Sequence, residues 1–147
     1  MSADILNHLF TFDKSPYIDR LKIENHSYIV GPYLINKNHW NALIINIDDR
    51  EFMLLDPFTA TPTFAQKSFD TWCNYYKTRP IRNDTEWRLT SINHPFQTDF
   101  YNCGVFVILF IKRFLLSKTI DFDTSEQSLM NERLLIASSI EEFSAKI

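Results

Sequence analysis

The chain of 147 residues lacks the cysteine and histidine spacing of a zinc site. It has two cysteines and four histidines, with neither a Cys-x-x-Cys motif nor a His-x-x-x-His pair. Such spacing is what gathers thiolate and imidazole ligands around one metal ion. We therefore expect no metal and no other cofactor, and we expect both cysteines to be reduced thiols.

Basic clusters and long apolar runs are also missing. The formal net charge is -3 and no Lys/Arg block occurs, which argues against a nucleic-acid-binding surface. The chain has no run of 18 or more apolar residues, the length needed to span a membrane. Its first ten residues lack the basic region of a secretory signal. We expect an intracellular protein, nuclear or cytoplasmic, that binds neither nucleic acid nor membrane.

What the chain does contain is typical of one compact core. Hydrophobic residues make up 45% of it and aromatic residues 15%, including thirteen Phe. A chain of this length buries roughly two thirds of its unfolded surface, and no repeat, linker or low-complexity segment divides it. We expect a single domain over residues 1–147, and a monomer.

The order of periodic segments predicts an α+β fold. Residues 28–35 are β-branched and aromatic but contain Gly31-Pro32, which is typical of an edge or bulged strand. A polar turn joins two short apolar runs into a predicted antiparallel hairpin, residues 40–47 and 52–55. Further segments predict a surface helix, a strand and a last helix preceded by a Thr124-x-x-Gln127 capping box, at residues 63–77, 87–92 and about 129–143.

A long apolar stretch begins at Cys103. Only Lys112 and Arg113 interrupt it, so we expect a helix enclosed on most sides with these two residues on its exposed stripe. A cysteine in the first turn lies near unpaired backbone N–H groups and the positive end of the helix dipole, and both favour the thiolate. Cys103 is therefore a candidate nucleophile, whereas Cys73 within the predicted surface helix is interpreted as a core thiol.

The hairpin gives Cys103 a candidate base. If the turn is centred on residues 48–49, the numbers of opposed residues sum to 97, so Asp56 lies opposite Asn41 and diagonally beside His39. Both side chains then leave the same face, with backbones roughly 7–8 Å apart. A four-residue turn keeps this parity, but an odd-length loop does not.

Each candidate also has an ordinary structural interpretation. A lone cysteine at the start of an apolar helix is usually an inert core thiol. A histidine at a strand start is usually half exposed, an aspartate before proline usually forms a turn, and a glutamine in a polar loop is usually solvated. Only the joint order and spacing of these residues point to catalysis.

That joint pattern consists of His39, Trp40, Asp56, Gln97, Cys103 and Gly104. It resembles the ubiquitin-like-specific cysteine proteases, the Ulp/SENP family with its adenovirus protease-like relatives, over about residues 28–116. The resemblance implies a papain-like or adenain-like α+β fold, in which helices flank a mixed or antiparallel central sheet and the nucleophile begins a buried helix.

By that resemblance, His39 is the base, Asp56 orients it and Cys103 is the nucleophile. Gln97 would line the oxyanion hole together with the backbone N–H of Cys103. Trp40 would pack over the slender di-glycine tail of the substrate, although a tryptophan at a strand start is equally often a core residue.

Three further features of the sequence bear on the expected substrate-binding site. Gly104 would allow close backbone packing behind the nucleophile. Asn102 stands where the family usually has Asp, so an amide donor replaces a charge there. No Trp precedes Trp40, so we expect either an N-terminal part shortened relative to the family or a chain that is a fragment, with Tyr28 or Tyr33 available to cover the substrate tail.

The implied function is a cysteine protease, an isopeptidase or endopeptidase, that cleaves after the C-terminal Gly-Gly of a ubiquitin-like protein such as SUMO, NEDD8 or ubiquitin. Three alternatives use the same residues or the same fold. They are a viral or mobile-element polyprotein-processing protease, an effector-type acetyltransferase with a basic pocket for the coenzyme phosphates, and a catalytically weak module that binds a ubiquitin-like protein.

Overall fold

A computed structural model describes Leu9, Arg20 and residues 22–58, 62–79 and 86–145. Within these residues the chain forms four strands, β1 Tyr28–Ile35, β2 His39–Asn46, β3 Glu51–Leu55 and β4 Arg88–Leu89. A short 3-10 helix, Ile23–Asn25, precedes them. The α-helices are α1 Pro62–Lys77, α2 Cys103–Ser117 and α3 Glu126–Ser144. None of the helices that these residues form is both long and apolar enough to cross a bilayer.

The four strands form one mixed sheet in the order β1-β2-β3-β4, which confirms the predicted α+β fold. β1, β2 and β3 are antiparallel neighbours, and β4 runs parallel to β3. β1 is an edge strand, as predicted, and an edge tolerates Pro32, which has no N–H to donate. Its pairing with β2 is continuous from Tyr28 to Ile35, so the bulge that was the other reading of Gly31-Pro32 does not form.

The hairpin register is the one predicted from the sequence. Ala42 pairs with Leu55 and Asn46 pairs with Glu51, so the residue numbers of each pair sum to 97. Asn46 shapes the turn, because its Nδ2 donates to Asp49 Oδ2 over 2.7 Å and its Oδ1 accepts from the Asp49 N–H over 3.2 Å. This register places His39 and Asp56 at the same end of the sheet and on the same face.

Alternate residues of β2 enter two different cores. Leu43 and Ile45 pack with the fully buried Trp72 of α1 on one face. Ala42 and Ile44 pack with Phe106 of α2 on the other face. The predicted surface helix, residues 63–77, is therefore α1, and it is a covering helix anchored by a buried tryptophan. β2 is one of the two inner strands, and its His39 end lies at the candidate site.

Three local expectations are corrected. The strand expected over residues 87–92 is limited to Arg88–Leu89, although the Thr90 N–H still donates to Phe52 O over 2.9 Å. The last helix begins earlier than expected, and its cap is Ser125 rather than Thr124, since the Ser125 side chain accepts from the Ser128 N–H. α2 is not enclosed near its end, where Leu116 is 74% exposed.

Candidate active site

His39 and Asp56 are joined by a hydrogen bond across the end of the hairpin. His39 is the first residue of β2 and Asp56 follows β3 directly, and His39 Nε2 lies 2.7 Å from Asp56 Oδ1. Their side chains are 21% and 12% exposed, so this hydrogen bond is only partly accessible to water. The diagonal contact predicted from the register is therefore present.

Two further contacts fix this pair. Asp56 Oδ1 also accepts the Phe58 N–H over 2.9 Å, an Asx-type turn that fits an aspartate before proline. The Phe58 ring packs against the His39 imidazole with centroids 5.2 Å apart. Because Nε2 is engaged with the carboxylate, Nδ1 is the ring nitrogen left to take a proton from a neighbouring group.

Gln97 is attached to the same end of the sheet. Its N–H donates to Pro57 O over 2.7 Å, one residue beyond Asp56. Its side chain is buried, and Nε2 donates to Asp99 O over 2.7 Å. An amide nitrogen carries two hydrogens, so this bond orients the group and leaves one N–H for another acceptor. This arrangement suits an oxyanion donor.

Asp99 organises the loop before Cys103, a role that the sequence analysis missed. Asp99 Oδ1 accepts the N–H groups of Tyr101 and Asn102 over 2.9 and 2.8 Å, and Oδ2 accepts Asn102 Nδ2 over 2.7 Å. The amide nitrogen of Asn102 is thus used within the loop. A carboxylate therefore remains three residues upstream of the position where the family usually has Asp. The sequence signal that could have indicated it is an aspartate in a polar loop, the usual start of an Asx turn.

The pKa of Asp99 is lowered. Burial alone would raise this pKa, but hydrogen bonds from Asn102 and Tyr101, together with the charge of Arg133, outweigh burial. A carboxylate with a depressed folded-state pKa contributes stability above its unfolded pKa, and that contribution disappears as the pH falls through the folded value.

We expect Asp99→Asn to lower the free energy of unfolding by about 1 kcal/mol at neutral pH, the usual net worth of a hydrogen bond. The difference from the wild type should shrink below roughly pH 4, where the unfolded carboxyl is protonated. Urea unfolding of both proteins between pH 3 and 7 measures this difference in unfolding free energy. A difference that stays constant over that range would contradict the assigned role.

Cys103 is the first residue of α2, as expected, and it is half buried. Asn102 precedes the helix but makes no side-chain cap, so the first backbone N–H groups of α2 have no capping side chain. Such groups stabilise negative charge. Among the described residues, His39 is hydrogen-bonded to Asp56 and not to the Cys103 thiol.

The structure changes the expectation for Gly104. A Cβ added at this position would have no heavy atom within 4 Å, so the close backbone packing expected behind the nucleophile is absent. Trp40 is half buried and packs against the core between the sheet and α2. Open space therefore lies beside Gly104, next to the candidate nucleophile.

We expect Gly104→Ala to fold and to gain about 0.5 to 1 kcal/mol in its free energy of unfolding, since alanine is the better helix former and meets no clash. Chemical denaturation compares it with the wild type. A loss of more than 1 kcal/mol would show, contrary to the structure, that a neighbour does fill this space.

Neither tyrosine expected to cover a substrate tail is placed to do so. Tyr33 is 6% exposed in the core. Tyr28 lies at the opposite end of β1 from Ile35, with its ring against Phe114. One exposed aromatic beside the site is Phe100, 89% exposed, whose ring lies 5.7 Å from that of Phe58.

The other cysteine has a different environment. Cys73 lies in α1, and burial is the main cause that raises its pKa. A raised pKa lowers the fraction of reactive thiolate. Among the described residues, no cluster of three or more His, Cys, Asp or Glu side chains could hold a metal ion.

Comparison with known families decides how this arrangement is classified. The model of the Ulp1 protease family, C-terminal catalytic domain, matches residues 16–146. The chain belongs to the Ulp1 protease family. Members of this family are cysteine proteases, and the resemblance inferred from the residue pattern is confirmed.

Solved structures of Ulp1 proteases share the fold. The C-terminal Ulp1 protease domain in complex with Smt3, the yeast ortholog of SUMO, matches with a TM-score of 0.70 and 17% identity, over 90% of this chain and 63% of that one. The SUMO protease Ulp1 with its catalytic cysteine oxidised to a sulfenic acid matches with a TM-score of 0.62 and 21% identity, over 82% and 55%.

A more distant match is the Xanthomonas campestris effector protein XopD bound to ubiquitin, with a TM-score of 0.51 and 13% identity, over 90% of this chain and 75% of that one. At these identities the likeness establishes the Ulp1-like fold. The present chain spans 55% of the length of the first matched Ulp1 structure. A search of curated proteins gave no significant match.

Proposed function

We propose that this Ulp1-family chain is a thiol protease that cleaves after the C-terminal Gly-Gly of a ubiquitin-like protein, using Cys103, His39 and Asp56. The observation that carries the proposal is the bond of 2.7 Å between His39 Nε2 and Asp56 Oδ1, at the end of the sheet where Gln97 is attached. Solved relatives in complex with Smt3 and with ubiquitin support a ubiquitin-like partner.

The mechanism uses both nitrogens of His39. Nδ1 takes the thiol proton of Cys103, and the Asp56 carboxylate on Nε2 stabilises the imidazolium that forms. The thiolate attacks the carbonyl carbon of the terminal glycine. The resulting oxyanion is bound by the free N–H of the Gln97 amide and by the backbone N–H of Cys103.

The reaction is completed in two steps, release of the amine and hydrolysis of the thioester. His39 returns its proton to the leaving amine, and the glycyl group stays on Cys103 as a thioester. Water attacks the thioester with His39 as general base, releasing the Gly-Gly carboxylate and the thiol. No group outside the protein and water is required for these steps.

Selectivity for glycine would come from a narrow channel. Trp40 and the exposed Phe100 are the aromatic candidates for its walls, and the open space beside Gly104 admits a substrate backbone. Asn102 would shape the channel indirectly, through its bonds to Asp99. Larger side chains would be rejected sterically, so specificity arises partly by exclusion.

A basic coenzyme pocket, as an acetyltransferase would need, is not favoured. The cavity beside His39 and Asp56 is lined by no Lys or Arg of the described residues. Lys112 and Arg113 lie on the exposed stripe of α2, and Lys112 Nζ is 3.9 Å from a Glu132 carboxylate oxygen. This lining and the family assignment both favour proteolysis.

A panel of ubiquitin-like proteins carrying C-terminal electrophiles tests the proposal. We expect SUMO-, NEDD8- or ubiquitin-derived probes to label the wild type and not Cys103→Ala. Cys73→Ser is the matched control, since it removes the other thiol and should label like the wild type. Labelling that persists in Cys103→Ala, or that is lost in Cys73→Ser, would overturn the assignment of the nucleophile.

A further inference from the structure

Asn41 is buried near the His39 end of β2 without a hydrogen-bond partner for its side chain. It lies in β2, between β1 and β3, and it is 0% exposed. Neither its Nδ2 nor its Oδ1 is bonded to another protein group. Leaving a buried amide unpaired is costly, so a fully buried asparagine requires a polar partner.

That partner is indicated by the cavity that Asn41 lines. The cavity has a volume of about 170 Å³, and its lining includes Asn41, His39, Asp56, Ile35, Leu54 and Phe64. Continuing the β2–β3 register by one step places Asp56 opposite Asn41 on the same face. Cross-strand neighbours of this kind have Cβ atoms about 5 Å apart.

Asp56 also lines this cavity, and only one of its carboxylate oxygens is hydrogen-bonded within the described part of the chain. Oδ1 accepts both His39 Nε2 and the Phe58 N–H. Among the described residues, Oδ2 has no protein donor. One residue with a buried unpaired amide and one with a carboxylate oxygen that has no protein donor therefore line the same cavity, which is large enough for several water molecules.

We propose that ordered water in this cavity links the Asn41 amide to Asp56 Oδ2, which makes Asn41 a positioning residue for the His39–Asp56 pair. The water gives Asn41 the partner it lacks and gives the carboxylate a second point of attachment. Asp56 is then held against rotation by the Phe58 N–H on one side and by the water on the other. The inference deepens the proposed function and depends on it for its link to Cys103.

The surroundings leave few other charges to perturb this pair. Ile35 at the end of β1 and Asn36 in the following turn line the cavity, as do Phe64 and Ala65 of α1, and none of these side chains titrates. Of the described residues that line it, only His39 and Asp56 are titratable. A change in the pH dependence of Cys103 on replacing Asn41 would therefore report on this pair.

The test is the rate of Cys103 alkylation by iodoacetamide as a function of pH, in a Cys73→Ser background. We expect Asn41→Leu to lower the rate at neutral pH about tenfold and to move the acidic limb of the profile to higher pH, because a loosened carboxylate stabilises the imidazolium less well. Asn41→Ser keeps a group that can bind water, so it should restore most of the wild-type profile.

Asn46→Leu is the matched control. Asn46 is buried in the same strand, 5% exposed, but it is bonded to Asp49 at the far end of the sheet. This variant should lose stability and keep the wild-type alkylation profile. A thermal melt shows whether Asn41→Leu is folded. If it is not, Asn41→Ala is compared with Asn41→Ser instead, and we expect the acidic limb of the alkylation profile to move to higher pH in Asn41→Ala only.

The outcomes separate the two proposals. If the wild-type Cys103 shows no enhanced reactivity over a free thiol, the proposed catalytic function fails. If the wild type is reactive and folded Asn41→Leu or Asn41→Ala keeps its profile, the positioning role of Asn41 is wrong. An equal shift in Asn46→Leu would also overturn that role, because it would show a general effect of weakening β2.

Discussion

Asp56→Ala should lower kcat/KM for cleavage of a ubiquitin-like fusion by about 10³ to 10⁴, the range seen when the acidic member of a catalytic triad is disabled. The variant removes the acceptor 2.7 Å from His39 Nε2 and the acceptor of the Phe58 N–H together. The imidazole then loses both its orientation and the charge that stabilises its protonated form.

Asp56→Asn separates these two contributions. Its side-chain oxygen can still accept from Nε2 of His39, so orientation is kept while the negative charge is removed. We expect it to retain more activity than Asp56→Ala, and single-turnover kinetics should place its loss in thioester formation. Both variants must unfold cooperatively to be compared. A loss below tenfold in Asp56→Ala would contradict its place in the mechanism.

Phe106→Ala should lower the free energy of unfolding by about 3 to 5 kcal/mol, as for other fully buried phenylalanines. Phe106 is 0% exposed, one turn beyond Cys103 on α2. Its ring makes edge contacts with Phe110 and Phe122 at centroid distances of 5.9 and 5.3 Å. The substitution would leave a cavity between the sheet and α2, the helix that carries the candidate nucleophile.

Leu116→Ala is the control for this prediction, since the same helix carries Leu116 at 74% exposure. It should change the unfolding free energy by no more than about 0.5 kcal/mol. Urea denaturation of both variants gives the comparison. A cost below about 1.5 kcal/mol for Phe106→Ala would show that α2 is attached mainly through other residues.

The hairpin shows how much of the site follows from residue order. Strand periodicity and a polar turn were sufficient to predict that residue numbers in opposed pairs sum to 97, and hence that His39 and Asp56 share a face. Side chains alternate with a period of two, so the parity of the turn decides their orientation. The contact itself is then a local consequence of the register.

The strand expected over residues 87–92 illustrates the opposite case. Its apolar alternation was correctly read as a strand, but only Arg88 and Leu89 pair with β3. Parallel pairing joins segments that are distant in sequence. The length of such a strand depends on its neighbour, which periodicity does not describe.

The types of the candidate catalytic residues, their order and the family they resemble were all available in the linear chain. Three features near the site were decided only by the tertiary structure: the use of Asn102 by Asp99, the open space beside Gly104, and the unpaired burial of Asn41 beside Asp56. Burial and hydrogen-bond satisfaction depend on which segments meet in space. The sequence therefore predicts the chemistry of the site. The surroundings of the Asp56 carboxylate depend instead on how β2, β3 and α1 pack together.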